Sequence, residues 1–214
     1  RYNVDGIDEV VVLDITATLE GRQTLLQTIN AVAHEIFLPL TVGGGIRTEE
    51  DAAAVINAGA DKVSLNTAAL QNPVLISNLA QRYGSQAIIV AIDAKRQNDH
   101  FAVYVRSGQT DAERDAVDWA SEAERCGAGE ILLTSMDRDG TRAGFDCELT
   151  AAVSSAVNIP VIASGGAGGF SDFAEVFTSG YADAALAASI FHYAESSVEE
   201  LKQYLHKQQI PVRL

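Results

Sequence analysis

Three observations predict an α/β protein whose parallel strands wrap into a barrel. Buried-strand and amphipathic-helix signals alternate along the whole chain, which leaves a barrel or a doubly wound sheet. Hydrophobic residues make up 47% of the 214 and aromatics only 7%, the aliphatic composition of strands buried on both faces. A stretch bearing a glycine-rich turn also occurs twice at a fixed spacing, which favours the barrel. The length suits one domain, residues 1–214, because α/β barrels often exceed 200 residues without dividing.

The first strand is Glu9-Val10-Val11-Val12-Leu13-Asp14-Ile15, followed by a helix with Leu25, Ile29, Val32, Ala33 and Ile36 on one face. Strand Leu40-Thr41-Val42 ends in Gly43-Gly44-Gly45, and its helix carries Ala52, Val55 and Ile56. Strand Lys62-Val63-Ser64-Leu65 leads to a helix with Ile76, Leu79, Ala80 and Tyr83. The most apolar strand, Ala87 to Asp93, precedes an insert with a small extra strand at Phe101–Val105 and a helix around Ala116, Val117 and Ala120. Strands Glu130–Ser135, Pro160–Ser164 and Ala184–Ala188 follow, with helices near Leu149–Val153 and Phe173–Phe177 and a last one holding Val198, Leu201, Tyr204 and Leu205. That makes seven βα units.

The repeat relates Val42-Gly43-Gly44-Gly45-Ile46, with its helix closing at Ala58-Gly59-Ala60-Asp61, to Ala163-Ser164-Gly165-Gly166-Ala167, with its helix closing at Ser179-Gly180-Tyr181-Ala182-Asp183. Gly44 and Gly165 lie 121 residues apart, and each stands 15 residues before the glycine that closes its helix. Two half-barrels of four βα units would look like this, so the expected fold is a (β/α)8 TIM barrel with seven of its eight units in this chain. The repeat puts the remaining unit before Arg1.

Glycine-rich turns at strand C-termini let backbone N–H groups approach an anion, on the face where barrels keep their active sites. Gly43-Gly44-Gly45 pairs with Asn66-Thr67 at the next strand's end, and Ser164-Gly165-Gly166 with Ala188-Ser189. Two such cradles across one barrel mouth imply a long substrate with a phosphate at each end; tight strand-to-helix turning is the other use for the glycines. Asp14, Asp93 and Asp139 end or closely follow apolar strands. A carboxylate there can serve as acid or base, or simply cap a helix. Asp93 is the catalytic candidate, because it ends the most apolar strand. Asp14 has an ancillary role or a structural one. Asp139-Gly140 lies in the polar loop Asp137-Arg138-Asp139-Gly140-Thr141, where sequence offers no structural reason for two acids. At the strands' other ends Glu9, Lys62 and Glu130 should meet at the barrel bottom, either as solvated rim residues or as a salt-bridged ring.

These motifs resemble a known family. Asp14-Ile15-Thr16-Ala17, Val42 to Ile46, Gly59 to Ser64, Asn66 to Ala69, Ala91 to Arg96, Arg125 to Thr134, Asp137 to Thr141, Ser164 to Gly168 and Ala187 to His192 are similar to the cyclase subunit of imidazole glycerol phosphate synthase. The resemblance runs from end to end. It implies that ammonia from a glutaminase partner passes through the barrel and reacts with a phosphoribulosyl aminoimidazole carboxamide ribonucleotide. The products are imidazole glycerol phosphate and an aminoimidazole carboxamide ribonucleotide. The family uses two catalytic aspartates, and Asp93 matches one of them. Asp139 matches a substrate-side carboxylate; Gly45, Asn66, Thr67, Gly166 and Ser189 match or adjoin phosphate positions. Glu9, Lys62 and Glu130 match the ammonia gate, and Asp61 an acid facing the glutaminase. The family's first strand, which carries the partner aspartate, is not in this sequence; the repeat puts the counterpart of Asp93 about 28 residues upstream of Arg1. From the 214 residues alone we therefore expect negligible turnover, since losing one of a catalytic pair costs ~10² to 10⁴ in rate. We also expect two exposed sheet edges, a liability for solubility.

The net charge of −14 argues against general affinity for nucleic acid. Two cysteines, Cys126 and Cys147, and no apolar run near the ~20 residues of a membrane span point to a cytoplasmic protein. The four histidines are scattered, which suggests neither a metal site nor a Ser/His/Asp triad, and no cofactor is expected. Trp119 is expected to be packing. Two other readings compete: a barrel delivering ammonia within a sugar-modifying amidotransferase, and a non-catalytic truncated barrel that binds phosphate.

Overall fold

A computed structural model of the chain describes residues 6–14, 26–192 and 197–214. Ile15, Thr16, Ala17 and Leu25, and the side chains of Ser189 and His192, lie outside the described residues.

Seven strands run parallel in one sheet. In chain order they are β1 (Val10–Leu13), β2 (Leu40–Gly43), β3 (Lys62–Leu65), β4 (Ile88–Gln97), β7 (Glu130–Ser135), β8 (Val161–Ser164) and β9 (Ala184–Leu186). Each pairs with its predecessor in that series. Sequential neighbours joined by helical crossovers are the arrangement of a (β/α) barrel, so the predicted fold class holds. Among the described residues, β1 and β9 end the sheet and are paired on one side only. Two strands stand off the main path: β5 (His100–Val105) returns antiparallel along β4, and β6 (Thr110–Asp115) pairs with β5. Sequence predicted β5 and missed β6. Its Thr-Asp-Ala-Glu-Arg-Asp string carries no strand pattern; it joins the β5 ladder and is tied in by Gln97, which donates to Asp111 at 2.7 Å, and by the Arg114–Glu122 pair.

The helices are α1 (Leu26–Glu35), α2 (Glu49–Asn57), α3 (Thr67–Gln71), α4 (Val74–Tyr83), α5 (Ala116–Cys126), α6 (Cys147–Ser154), α7 (Phe170–Thr178), α8 (Ser189–His192) and α9 (Val198–Lys207). Their starts follow from local chemistry. Asp115 accepts the N–H groups of Val117 and Asp118, Asp146 that of Leu149, and Thr48 and Ser197 form capping boxes with Asp51 and Glu200, each satisfying N–H groups the helix leaves unpaired. No helix among the described residues is long and apolar enough to cross a membrane.

The core is aliphatic, as the composition requires. Val42, Val63, Ile76, Leu79, Ile88, Val90, Ile92 and Ile131 are all buried in one cluster with Trp119, which is packing as expected. A smaller cluster gathers Phe145, Phe173, Val176, Ile190, Leu201 and Leu205 under the last helices. Lys202 of α9, itself buried, reaches Asp8 at 3.0 Å, and Arg213 meets the same carboxylate at 3.2 Å. These pairs bring the last helix against the entry to β1.

Candidate active site

Parallel strands put all their C-terminal ends at one mouth, and the candidate residues collect there. Gly44 and Gly45 follow β2 with φ of 94° and 73°; Gly165 and Gly166 follow β8 with φ of 91° and 100°. Glycine is required on steric grounds as well. A Cβ on Gly44 would stand 2.1 Å from the Asp14 carbonyl oxygen, and one on Gly166 would stand 2.2 Å from that of Gly144. Both double left-handed turns therefore exist only as glycine. Asp14 belongs to the first of them: its N–H donates to the Gly43 carbonyl at 2.9 Å.

Asp93 sits within β4, flanked by β3 and β7. Asn66, expected at a phosphate, also reaches it, donating Nδ2–H to Oδ2 at 3.0 Å. Burial pushes the Asp93 carboxyl above the ordinary carboxylate range, the Asn66 hydrogen bond opposes that, and the charge of Asp139 adds to it. A half-buried carboxyl whose pKa is raised by burial is suited to acid–base work. Asp139 itself is exposed; its backbone N–H donates to Ser135 at 2.9 Å. Gly140 beside it is exposed with φ 73°. Ser164 ends β8, half-buried, and Ala188 is exposed just past β9, immediately before α8 opens at Ser189.

Two features correct or extend the sequence reading. Asp137 does have a structural use: its Oδ2 accepts the Arg96 N–H at 2.8 Å, while the Arg96 guanidinium pairs with Glu148 and lies 4.4 Å over the Phe101 ring. That brace fixes the far end of β4, four residues past Asp93 at most. Thr67, the other half of the first cradle, accepts a hydrogen bond from the Arg106 N–H at 3.2 Å. Contacts of this kind join residues some 40 positions apart, and no sequence pattern announces them.

At the opposite end, Glu9, Lys62 and Glu130 come together. Lys62 Nζ lies 2.8 Å from Glu9 and 2.7 Å from Glu130. Glu9 precedes β1 and Glu130 opens β7, each two strands from β3, so Lys62 spans the concave side of the sheet. Burial works against its charge, yet hydrogen bonds and attraction from both glutamates prevail and raise its pKa. Thr41 pairs in register with Lys62 and so shares its face. It is fully buried, and its hydroxyl has no hydrogen-bond partner among the described residues. Sequence analysis did not single it out; a lone threonine in a buried apolar strand was the signal. Asp61, next to Lys62, accepts the Leu40 N–H at 2.8 Å.

The histidine biosynthesis protein family model matches residues 1–197. The chain is 61% identical over 214 residues to the imidazole glycerol phosphate synthase subunit HisF of Acidobacterium capsulatum, covering 100% of this chain and 85% of that protein. It is 56% identical over 213 residues to the subunit HisF of Alkaliphilus metalliredigens, covering 99% and 84%. With its fold and its two mirrored turns, the chain belongs to the histidine biosynthesis proteins, within the imidazole glycerol phosphate synthase subunit HisF family.

Proposed function

We propose that this chain acts as the cyclase subunit of imidazole glycerol phosphate synthase in the cytoplasm. Ammonia from a glutaminase subunit would enter at the Glu9–Lys62–Glu130 cluster and move along the concave face of the sheet. The unpartnered Thr41 hydroxyl, one strand from Lys62, gives it a polar stop in an otherwise apolar passage. At the mouth the substrate spans the two glycine turns, one phosphate at Gly45, Asn66 and Thr67 and the other at Gly166 and Ser189. Ser164 and Ala188 flank that second site. Asp93 exchanges the protons of ring closure, Asn66 holds it, Asp139 and Gly140 border the substrate, and Asp14 backs the first turn. The glutaminase would dock on the bottom face, where Phe37 is 92% exposed beside a hollow lined by Ala33, Ile36, Pro39 and Asp61. An exposed aromatic beside an acid suits an apolar contact ringed by charge.

The observation that supports this most is the placement of Asp93. A half-buried carboxyl with its pKa raised by burial stands at one end of the strands whose other end holds the Lys62 cluster. The test is cyclisation of the bisphosphate with ammonium salt, with and without an upstream βα unit joined before Arg1, and then with glutamine plus the glutaminase subunit. Turnover that depends on Asp93 is expected once the unit is present. An extended chain that binds the substrate yet forms no imidazole glycerol phosphate from ammonia would overturn the proposal.

A further inference from the structure

The hairpin β5–β6 does more than decorate β4. Tyr104 of β5 pairs in register with Asp93, so the hairpin rises from the strand that carries the candidate acid. Its tip then touches both neighbouring strand ends. On the β3 side the Arg106 N–H donates to the Thr67 hydroxyl at 3.2 Å. On the β7 side a Cβ on Gly108 would stand 2.8 Å from Met136 Cε, so the tip rests on the residue that follows β7.

The backbone between these contacts is strained. Arg106, Ser107 and Gly108 have φ of 55°, 54° and 78°. Left-handed backbone costs roughly 1–2 kcal/mol at each non-glycine residue, and such conformations persist where surrounding contacts hold them. The contact to Thr67 also has a chemical consequence. A threonine hydroxyl carries one proton and two acceptor lone pairs. With the Arg106 N–H directed into a lone pair, the proton is left to be donated elsewhere. The Arg106 side chain is exposed and makes no ion pair among the described residues.

We propose that Arg106 is a phosphate-binding residue of the first cradle. The hairpin tip turns the Thr67 hydroxyl into a donor and brings the Arg106 guanidinium to the same anion, so a phosphate monoester is held from the strand side and from above. A planar guanidinium suits phosphate oxygens. The proposal rests on the reading above that Gly45, Asn66 and Thr67 receive a phosphate.

The probe is ribose 5-phosphate, titrated into the isotope-labelled chain at low salt and followed by backbone amide shifts. The Thr67 amide reports the first cradle and the Gly166 amide the second. Arg106→Ala keeps the N–H and removes the guanidinium. It should weaken binding read at Thr67 roughly three- to tenfold and leave binding read at Gly166 unchanged, while Arg106→Lys should restore most of the loss. Thr67→Val should abolish the ligand-induced shift of the Arg106 amide. Unchanged affinity at Thr67 in Arg106→Ala overturns the inference and leaves the cradle standing. No shift at Thr67 in the parent chain overturns the cradle, and the inference with it.

Discussion

The two halves of the repeat, residues 40–67 and 161–189, share a skeleton but not a chemistry. Each opens on a strand, turns on two left-handed glycines and starts a helix with an aspartate that folds back on the turn. Asp51 accepts the N–H groups of Arg47 and Thr48 at 3.0 and 3.1 Å; Asp172, 121 residues later, accepts those of Gly168 and Gly169 at 2.9 and 2.8 Å. Each ends with an aspartate clipping the N–H of its strand's first described residue, Asp61 on Leu40 at 2.8 Å and Asp183 on Val161 at 2.9 Å. The halves part on either side of that clip. The first continues into Lys62, Asn66 and Thr67, which reach the bottom cluster, Asp93 and the hairpin tip. The second carries an extra residue, Tyr181, whose φ of 54° and 63% exposure mark where the chain absorbed it, and then runs into Ala184 and Ala185. The shared features hold the two turns, and the unshared ones bring Lys62, Asn66 and Thr67 to their partners.

Asp93→Asn should produce the largest effect. In an extended, active chain it should lower ammonia-dependent cyclisation ~10²- to 10⁴-fold with little change in substrate binding. Asp139→Asn, on the second half's side of the mouth, should cost less, chiefly in KM. The sign for stability is opposite to that for activity. The folded chain holds the Asp93 proton more tightly than the unfolded one. This group therefore lowers stability as pH rises through the window between the ordinary carboxylate range and its raised value. Asp93→Asn removes that dependence, so thermal unfolding above the window should move up by about 1–3 °C. A variant with lower Tm and full activity would show that the acid lies elsewhere.

Gly44→Ala and Gly166→Ala come next. Each puts a methyl against a backbone carbonyl at a positive φ, and each should cost about 2–4 kcal/mol in denaturant unfolding. Gly140→Ala, with φ 73° but nothing within 4 Å, should cost about 1 kcal/mol. If Gly44 and Gly166 differ widely, the symmetry of the two turns does not extend to their energetics.

Much of this is legible in the amino-acid sequence. The glycine pairs, the helix-closing Gly and Asp residues and the apolar strands follow from local steric and hydrophobic rules, and those rules write themselves into short strings. Glu9, Lys62 and Glu130 were also visible, because a charge at the first position of a buried strand is conspicuous. Long-range pairings were not. Arg96 with Asp137, Thr67 with Arg106 and Asn66 with Asp93 join positions whose spacing follows no helical or strand period. Strand β6 was hidden for a related reason, since its polar string shows no strand alternation and the side chains that tie it in, Asp111 to Gln97 and Arg114 to Glu122, pair with positions outside it. Asp61 was expected as an acid facing the glutaminase, and its clip on Leu40 pairs positions 21 apart that no local pattern links.

Those two clips allow the symmetry to be broken deliberately. Asp61→Ala and Asp183→Ala should each destabilise the fold by about 1–2 kcal/mol, leaving a strand N–H without its acceptor. Only Asp61→Ala should also weaken glutaminase binding, because Asp61 borders the hollow beside Phe37. Titration calorimetry of both variants against the glutaminase subunit separates the roles. Equal losses of affinity would mean that the partner covers both halves of the bottom face.

Asn66→Ala gives the smallest and most local effect. Asn66 stabilises the charged form of Asp93, so removing it leaves burial and Asp139 to push the carboxyl higher still. The limb of the cyclisation pH profile that Asp93 sets should then move toward higher pH. Nothing should change in the second half: phosphate binding read at the Gly166 amide should stay as it was. A limb that stays in place, or moves toward lower pH, would mean that Asn66 serves the phosphate and not the acid. The first half would then hold its reactive carboxyl by burial alone.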